Sequence, residues 1–409
     1  MKKIIAMLMV MALSAAMLLG CGGNNSNTGN KVKVGFICLH DENSTYDLNF
    51  INAAKEACTA ANVDYIIKTG IPESAECLTA AEDLIDQGCN VIFADSFGHE
   101  DYLIQAAKKY PNVQFAHATG TQAHTEKLSN FHDAFASIYE GRFLAGIAAG
   151  MKLNEMIESG KITADQALMG YVGAFTYAEV ISGLTSFYLG AKYVCPSVTM
   201  QVQFTGSWYD YAGEKEAATT LINNGCVLIS GHADSLGAPQ ACEEAGVPNI
   251  SYNGSTESAG PTTYIVSSKI NWTTFFTELI ASAKSGNPLP YDYTGTMANN
   301  AVQLVELSKN AAPGTAEKIA EAKAALIAGT LHVFDTSTFT VTVTADQNMN
   351  AKVDAAGHLT SYMADVDSDA NYTADTEVVK DGYFHESEYR SAPYFDLKID
   401  GIVFNNVAY

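Results

Sequence analysis

Short apolar runs alternate with helical patterns along the first part of the chain. The apolar runs occupy residues 32–39, 63–67, 90–94 and 113–118. The segments between them carry small apolar residues at helical spacing and predict helices over residues 50–61, 75–87 and 99–110. Continuous apolar strands that alternate with helices are typical of a parallel sheet with helices on both faces. We therefore predict an α/β fold.

The same pattern begins again at residue 168. Strand-like runs occupy residues 168–172, 198–204, 227–230 and 249–252, and helical patterns occupy residues 178–193, 211–224 and 236–245. This repetition predicts two doubly wound parallel-sheet lobes. We expect one lobe to comprise residues 31–137 plus about 254–290, which adds a strand at 264–266. The other should comprise residues 138–253 plus about 291–345.

The last part of the chain has a different character. Residues 338–343 read TFTVTV and alternate as a strand does, and residues 346–376 are polar, acidic and rich in turn residues. We predict that residues 346–409 form an appended β-rich extension.

The first thirty residues carry an export signal. Lys2 and Lys3 precede an apolar run over residues 4–19, which is too short and wrongly flanked for a stable membrane span. Its ending, Leu-Leu-Gly-Cys21, resembles the lipobox of bacterial lipoproteins. We predict a signal peptide over residues 1–20, a lipid anchor at Cys21 and a flexible polar tether over 21–30. The body would then lie at the cell membrane, on its extracytoplasmic face.

Charge narrows the range of partners. The 409 residues include 45 Asp and Glu against 23 Lys and Arg, which gives a net charge of −22. A body this acidic is a poor partner for nucleic acid, so none is expected. Arg142 and Arg390 are the only arginines in the sequence. Because arginine is the usual clamp for phosphates and carboxylates, this scarcity disfavours an anionic ligand.

Seven further cysteines, in mostly apolar contexts, favour buried free thiols. A disulfide framework is the alternative for an exported protein, and the sequence fixes no pairing. The spacing of a zinc site is absent from the sequence, and we expect neither a metal nor a cofactor.

Aromatic and small polar residues follow the predicted strands. In open parallel sheets, ligands bind beyond the carboxyl ends of the strands. The residues found there are Asp41, Asn43, Tyr46, Phe50, Asp95, Phe97, Phe175, Trp208, His232, Asp234 and Asn253. Any one of the polar residues could simply cap a helix or form a turn. Together they predict a site for a neutral polar ligand such as a sugar or a nucleoside, because aromatics stack on rings and carboxylates and amides bind hydroxyls.

Several segments, in order and spacing, resemble the basic membrane protein (BMP) family of substrate-binding lipoproteins of ABC importers. They read GFICLHDENSTYDLNFINAAKEA, NVIFADSFG, KKYPNVQFAHATG, EGRFLAGIAAG, GYVGAF, LGAKYVCPSV, GSWYD and YIVSSK, within residues 32–345. The best-known members are similar to a purine-nucleoside-binding lipoprotein with a type I periplasmic-binding-protein fold. The resemblance implies a monomer that captures a purine nucleoside by hinge closure and delivers it to a membrane permease.

The resemblance also implies roles for individual residues. Asp41 and Asn43 would bind the base, Tyr46 or Phe50 would stack on it, and Trp208 or Phe175 would oppose that ring. Lys269 matches a lysine that holds the ribose. Asn253 stands where the family has an aspartate, and the loop at 231–235 departs from the family's glycine-rich pattern. These two departures could change the sugar preference or the ligand.

Other function classes are open at this point. A sugar-binding protein of the same fold, or a sensor that reports its ligand to a receptor, would use the same lobes. An extracellular hydrolase is disfavoured because the sequence has no G-x-S-x-G, H-E-x-x-H or Walker motif. We predict that the protein is not an enzyme.

Overall fold

A computed structural model describes residues 31–366 and 373–409. The predicted signal peptide, Cys21 and the tether lie outside these residues. Within the described ranges, no helix is both long and apolar enough to cross a membrane.

Eighteen strands and ten α-helices make up the described chain. The strands are β1 (Lys33–Ile37), β2 (Asp64–Lys68), β3 (Val91–Ala94), β4 (Gln114–His117), β5 (Phe131–Ala136), β6 (Leu168–Gly173), β7 (Thr199–Phe204), β8 (Leu228–His232), β9 (Asn249–Tyr252), β10 (Tyr264–Ile270), β11 (Asp292–Gly295), β12 (Val302–Leu304), β13 (Ala351–Val353), β14 (Leu359–Ala364), β15 (Thr376–Glu377), β16 (Val379–Lys380), β17 (Tyr383–Phe384) and β18 (Ile402–Phe404). The helices are α1 (Thr45–Ala61), α2 (Ala75–Asp86), α3 (Glu100–Lys109), α4 (Ala123–Glu126), α5 (Ile138–Glu158), α6 (Ala178–Val194), α7 (Tyr211–Asn223), α8 (Gly237–Ala245), α9 (Trp272–Ser285) and α10 (Thr315–Ile327).

The first sheet has six parallel strands in the order β11-β5-β4-β3-β1-β2. Its central strands are apolar because helices cover both faces. On one face α1 and α9 pack together around an aromatic cluster. Phe50 of α1 stacks on Trp272 of α9 with ring centroids 4.3 Å apart, and Phe93 of β3 meets Phe276 edge-on at 4.8 Å.

The second sheet has seven strands in the order β12-β10-β9-β8-β6-β7-β18. Its pairs are parallel except for β10 with β12, so this sheet is mixed. The predicted α/β fold with two wound sheets is confirmed, and the mixed strand pair is an addition that the sequence pattern did not indicate.

The chain passes three times between the two sheets. It leaves the first sheet after β5, returns from β10 through α9 to β11, and crosses again to β12. The strand expected in the first lobe at 264–266 therefore lies in the second sheet, as part of β10, and β11 lies in the first. The sequence pattern predicts a strand at β10 but not at β11, and it does not say which sheet a crossover strand joins. The division into lobes stays a prediction.

The C-terminal extension contains two small antiparallel sheets, β13-β14-β15 and β16-β17. Its last strand, β18, joins the edge of the second sheet beside β7. The strand predicted over 338–343 is wrong: this segment has no strand ladder, although Phe339 and Val341 are buried. Their alternation reflects contact with the core and not strand pairing.

The predicted free thiols are confirmed for the described chain. All seven of its cysteines are free and buried.

Helices α5 and α6 approach each other through glycine. A Cβ built on Gly190 would lie 2.0 Å from the carbonyl oxygen of Phe143, and one on Gly146 would lie 2.0 Å from that of Phe187. Both obstacles are backbone atoms of the facing helix. Helix α5 follows the first crossover and leads into β6, and α6 connects β6 to β7. The close contact between the two helices therefore fixes the chain where it enters the second sheet.

We predict that Gly190→Ala lowers the free energy of unfolding by about 3 kcal/mol, the upper end of the cost of overpacking, because helix backbone cannot yield. Urea unfolding measures this change. Gly254→Ala is the control, since an added Cβ there meets nothing within 4 Å. Equal stability of the two variants would contradict the close helix contact.

Candidate ligand-binding cavity

A cavity of about 840 Å³ lies at the carboxyl ends of the strands of both sheets. The loops after β1, β3 and β4 line it from the first sheet, and the loops after β6, β7, β8 and β9 line it from the second. Residues of the C-terminal extension line it as well. Its volume is within the usual range for small-molecule sites, about 300–1,000 Å³.

The first-sheet wall is organised by the start of α1. Ser44 caps the helix, accepting a hydrogen bond from the Asp47 backbone, and its hydroxyl donates to Asp47 Oδ2 at 2.6 Å. Asp47 Oδ1 accepts from the His40 backbone at 2.8 Å. Burial alone would raise the pKa of Asp47, but hydrogen bonds from His40 and Ser44 hold it below its usual value. Asp47 therefore presents a fixed negative charge to the cavity.

Tyr46 stands beside Asp47 in the cavity wall. Its hydroxyl donates to the backbone oxygen of Asp95 at 2.7 Å, and its ring meets Phe50 edge-on with centroids 4.8 Å apart. The ring is thus fixed at both ends.

The second-sheet wall is aromatic. Phe175 stacks on Tyr177 with centroids 5.1 Å apart, and Trp208 meets Phe175 edge-on at 5.1 Å. Tyr177 and Trp208 face the cavity, and Phe175 supports them from behind. Phe97 of the first-sheet wall approaches Tyr177 at 5.5 Å. Flat apolar surfaces from both sheets thus meet in one place.

A buried arginine organises the polar part of the second-sheet wall. Arg142 of α5 donates to the backbone oxygen of Ser251 at 3.1 Å, to Ser230 Oγ at 3.0 Å and to the hydroxyl of Tyr171 at 3.0 Å. These partners lie on three adjacent strands. The guanidinium has no accessible surface.

A hydrogen-bond relay leads from Arg142 to the cavity. Because the Tyr171 hydroxyl accepts from Arg142, its own proton can be donated to His232 Nδ1, 3.3 Å away. His232 Nε2 then carries a proton and donates to Glu179 Oε1 at 2.8 Å. His232 and Glu179 both line the cavity, so the relay fixes the orientation of two ligand-facing groups.

Asp234, a second carboxyl group of the cavity wall, has its pKa shifted in the opposite direction from that of Asp47. Burial and the nearby charges of Asp47, Glu214 and Glu179 raise the pKa of Asp234 well above its usual range. A protonated Asp234 offers an O–H donor as well as an acceptor. The Asp234 backbone oxygen also accepts from Thr45 N at 2.9 Å, which joins the two sheet edges directly.

The loop after β4 rests on a buried cluster of Glu100, His117 and Asp133, whose potential ligand atoms lie within 4.8 Å of one another. Glu100 Oε1 accepts from the backbones of Thr121 and Gln122, at 2.8 and 2.7 Å. A second buried group within the same limit joins Cys38, Asp47 and Asp95. Both sets have donor types that a divalent cation accepts. In the described structure the first set anchors the loop that carries Thr119 and Thr121 into the cavity wall.

Residues 37–337 match the family model of PnrA-like ABC transporter substrate-binding proteins, the Bmp family. The chain belongs to this family. The resemblance to the BMP family is thereby confirmed.

Relatives in this family carry several ligand names. A purine-binding protein of Brucella abortus is 28% identical over 332 residues, 80% of this chain and 89% of that protein. The nucleoside-binding protein BmpA of Lactococcus lactis is 25% identical over 58% of this chain and 66% of its own length. A Haloferax volcanii protein, provisionally named as an ABC transporter glucose-binding protein, is 30% identical. That match spans 61% of this chain and 60% of the relative, less than two thirds of its length.

Solved structures agree on the fold. A solute-binding protein of an ABC transporter system from Aeropyrum pernix superposes with a TM-score of 0.62 at 17% identity, covering 77% of this chain and 95% of that one. A transcriptional activator of the comK gene from Bacillus halodurans gives 0.60 at 20% identity, over 72% and 97%. Both superpositions show the same fold as this chain.

The structure brings six of the residues predicted for the site of this Bmp-family chain to the cavity: Tyr46, Phe97, Trp208, His232, Asp234 and Asn253. Asn253 adopts a left-handed conformation with φ of 66°, and its backbone N–H donates to Ser268. This places a turn directly at the end of β9.

The other predicted residues do not line the cavity. Asp41 and Asn43 are exposed and bond to each other, Asn43 Nδ2 donating to Asp41 at 2.9 Å, as in an Asx turn. Phe50 faces the aromatic core because its position on α1 points inward. Lys269 lies on β10 opposite Gln303 of β12. Phe175 and Asp95 lie behind the wall and support Tyr177 and Tyr46.

Sequence reasoning missed several cavity residues. Asp47 was detectable, because Ser44 and Asp47 stand three apart as a helix cap requires. Tyr177 and Glu179 follow Phe175 in the same loop. The cavity residues of the C-terminal extension gave no signal, since nothing local says that a chain end returns to a distant sheet edge.

The pH dependence of stability tests the Glu100 cluster. Burial, with the charge of Asp133 nearby, raises the pKa of Glu100 to about 8, and burial and the charge of Asp292 raise that of Asp133. The unfolded value for Glu is about 4.3. Glu100 therefore binds its proton more tightly in the folded chain than in the unfolded chain. This difference stabilises the folded chain at low pH, and the stabilisation is lost as the pH rises from about 4.3 to 8.

We predict that the melting temperature of Glu100→Gln falls less between about pH 5 and 8 than that of the wild type, because the amide has no proton to lose. Thermal unfolding at several pH values measures the slope. Glu158→Gln, at an exposed position, should keep the wild-type slope. An unchanged slope in Glu100→Gln would show that this group does not titrate as described.

Proposed function

We propose that the protein captures a purine nucleoside, or a closely related polar small molecule, and delivers it to the permease of an ABC importer. The observation that carries the proposal is the composition of the cavity wall. Tyr177, Trp208 and Phe97 offer flat apolar surfaces beside Asp47, Glu179 and Asp234. A nucleoside has both a flat ring and hydroxyl groups, and this wall matches both.

The chemistry of the wall supports a ring with polar edges. Stacking on an aromatic side chain contributes about 1–3 kcal/mol per base. An ionised Asp47 accepts hydrogen bonds only, whereas a protonated Asp234 can also donate one. Fixed acceptors with one donor suit a ligand rich in hydroxyls and ring nitrogens.

Capture by closure of the two sheets is part of the proposal. Three chain segments cross between the sheets, and such crossings can act as a hinge. The sheet edges already touch where Thr45 N donates to the Asp234 oxygen, and where the rings of His40 and Tyr209 lie 5.5 Å apart. A ligand that contacts both walls would stabilise this closed arrangement.

A sugar is the second candidate ligand. The Haloferax relative is provisionally named for glucose, and aromatic rings beside carboxylates can also hold a sugar. The altered loop at 231–235 and Asn253 adjoin the ligand space and could shift the preference. A sensor that uses the same cavity is a further alternative, and catalysis by a hydrolase is not proposed.

We propose a lipid-anchored monomer on the extracytoplasmic face of the cell membrane. The Leu-Leu-Gly-Cys21 ending of the apolar run supports an acyl anchor at Cys21. Mass spectrometry of the protein isolated from membranes tests this: a diacylated Cys21 at the N-terminus supports the anchor, and an intact or differently cleaved N-terminus refutes it.

A thermal-shift panel tests the ligand class. The protein is unfolded and refolded to remove bound ligand, then heated with nucleosides, free bases, pentoses, hexoses and amino acids. Binding to the native state raises the melting temperature in a concentration-dependent way. We expect the purine nucleosides to give the largest shift. A shift with hexoses alone would replace the nucleoside assignment with the sugar alternative.

Trp208→Ala should weaken nucleoside binding by about tenfold or more, because one stacking surface is lost. Isothermal titration calorimetry measures the affinity. Tyr291→Ala is the matched control, since Tyr291 is 41% exposed and lies outside the cavity. Equal affinities of Trp208→Ala and the wild type would remove Trp208 from the site.

A further inference from the structure

The C-terminal extension forms one wall of the cavity although it lies beyond the family match. That match ends at residue 337, before residues 346–409, which the sequence predicts as the extension. Asn348, Arg390, Lys398, Asn406 and Tyr409 all line the cavity. These wall residues therefore lie beyond the part of the chain that the family model matches.

The chain end is firmly bound to the second sheet. Strand β18 pairs with β7, and beyond it the Asn406 side chain bonds both backbone groups of Phe204, accepting at 2.8 Å and donating at 2.9 Å. Thr176 N donates to the Ala408 oxygen at 2.7 Å, next to the aromatic wall. The last residues thus run along the cavity edge in a defined position.

The preceding segment is tied to the first sheet and to the extension itself. Ser391 N donates to Asp292 Oδ1 of β11 at 2.7 Å. The Asn348 side chain accepts from Lys398 N at 3.0 Å and donates to its carbonyl oxygen at 2.9 Å. The Lys398 ammonium lies 5.1 Å from the ring centre of Phe404. Both ends of the segment are held, so its side chains have a defined place at the cavity.

Charge gives this wall its specific chemistry. Arg390 and Lys398 are the only lysine or arginine residues lining the described cavity. Arg390 donates to three backbone oxygens, those of Asp365, Ala392 and Pro393, and five N–H groups are available to it. Within residues 31–366 and 373–409, neither cation lies within 4.0 Å of a carboxylate oxygen. The charge of Arg390 does oppose the rise in pKa that burial causes in Glu386 and Asp396.

Three carboxyl groups of the cavity wall also accept hydrogen bonds from neighbouring groups of the protein. Glu179 accepts from His232, Asp47 from Ser44 and His40, and Asp396 from the Tyr362 hydroxyl. Among the residues that the structure describes, Arg390 and Lys398 thus bring positive charge to the cavity of a chain whose net charge is −22. They leave positive charge available for a ligand.

We propose that the C-terminal extension is part of the ligand site and that Arg390 and Lys398 bind an anionic group, a phosphate or a carboxylate, carried by the ligand. This inference rests on the proposed function and refines it: the captured molecule has a ring at the aromatic wall and an anion at the extension. An anionic ligand differs from the neutral ligand that the low arginine content predicts. The number of arginines in the sequence does not say where in the fold each one lies, and Arg390 lies at the cavity.

Matched ligand pairs test the proposal by calorimetry with the purified protein. The pairs are guanosine with its 5′-monophosphate, glucose with glucose 6-phosphate, and glucose with glucuronate. We expect the anionic member of at least one pair to bind more tightly than the neutral member. Raising the salt concentration should lower the affinity of that anionic ligand and leave the affinity of its neutral partner unchanged. Phosphate or carboxylate is identified by the pair that shows the preference.

Substitution at Lys398 assigns the preference to the extension. Lys398→Gln should weaken the anionic ligand by about tenfold and leave its neutral partner unchanged, whereas Lys398→Arg should retain the preference. Arg390→Lys provides the second variant, because Arg390→Gln could disturb the backbone it supports. Lys352→Gln, a lysine of the extension outside the cavity, is the control.

Two outcomes overturn the proposal. The first is equal or tighter binding of the neutral members, which would leave nucleoside or sugar capture intact. The second is an anion preference that Lys398→Gln does not change, which would place the anion elsewhere. If no anionic compound binds, the proposal fails too, and the binding of the neutral nucleosides then decides the proposed function separately.

Discussion

The buried guanidinium of Arg142 is the interaction on which the second-sheet wall of the cavity depends. It reaches β6, β8 and β9 at once, through Tyr171, Ser230 and Ser251. Hydrogen bonds to a buried charge contribute about 1.5–3 kcal/mol each, and their loss leaves buried polar groups unsatisfied. The Tyr171 hydroxyl connects Arg142 to His232 and Glu179. A residue that does not itself line the cavity therefore sets the geometry of two groups that do.

The two walls of the cavity are built differently. The first is fixed by a helix cap, in which Ser44 and Asp47 bind each other and the His40 backbone. The second is fixed by the Arg142 relay and by aromatic packing around Phe175. Both place polar groups at the carboxyl ends of parallel strands, where the backbone leaves room for a ligand. The extension then adds a third wall that is bonded to both sheets.

The local sequence pattern predicts the features of the fold that depend on neighbouring residues alone. The alternation of apolar runs predicts β1 to β4 and β6 to β9 but misses β5. The strand-end rule predicts Tyr46, Trp208 and Asp234 at the cavity. It fails for Phe50 and Lys269, because a position near a strand end does not fix which way a side chain points. It fails for Arg390 and Lys398 because their place depends on β18 pairing with β7, about two hundred residues away in sequence. Such pairing is a tertiary property.

Hydrogen–deuterium exchange with and without a bound ligand tests the central claim most directly, since that claim is a single cavity with walls from both sheets and the extension. Ligand should slow exchange together in three places: the loop after β3 at 95–99, the loop after β6 at 174–179, and the extension at 390–398. Protection confined to the loops of one sheet, with the extension unchanged, would contradict the account.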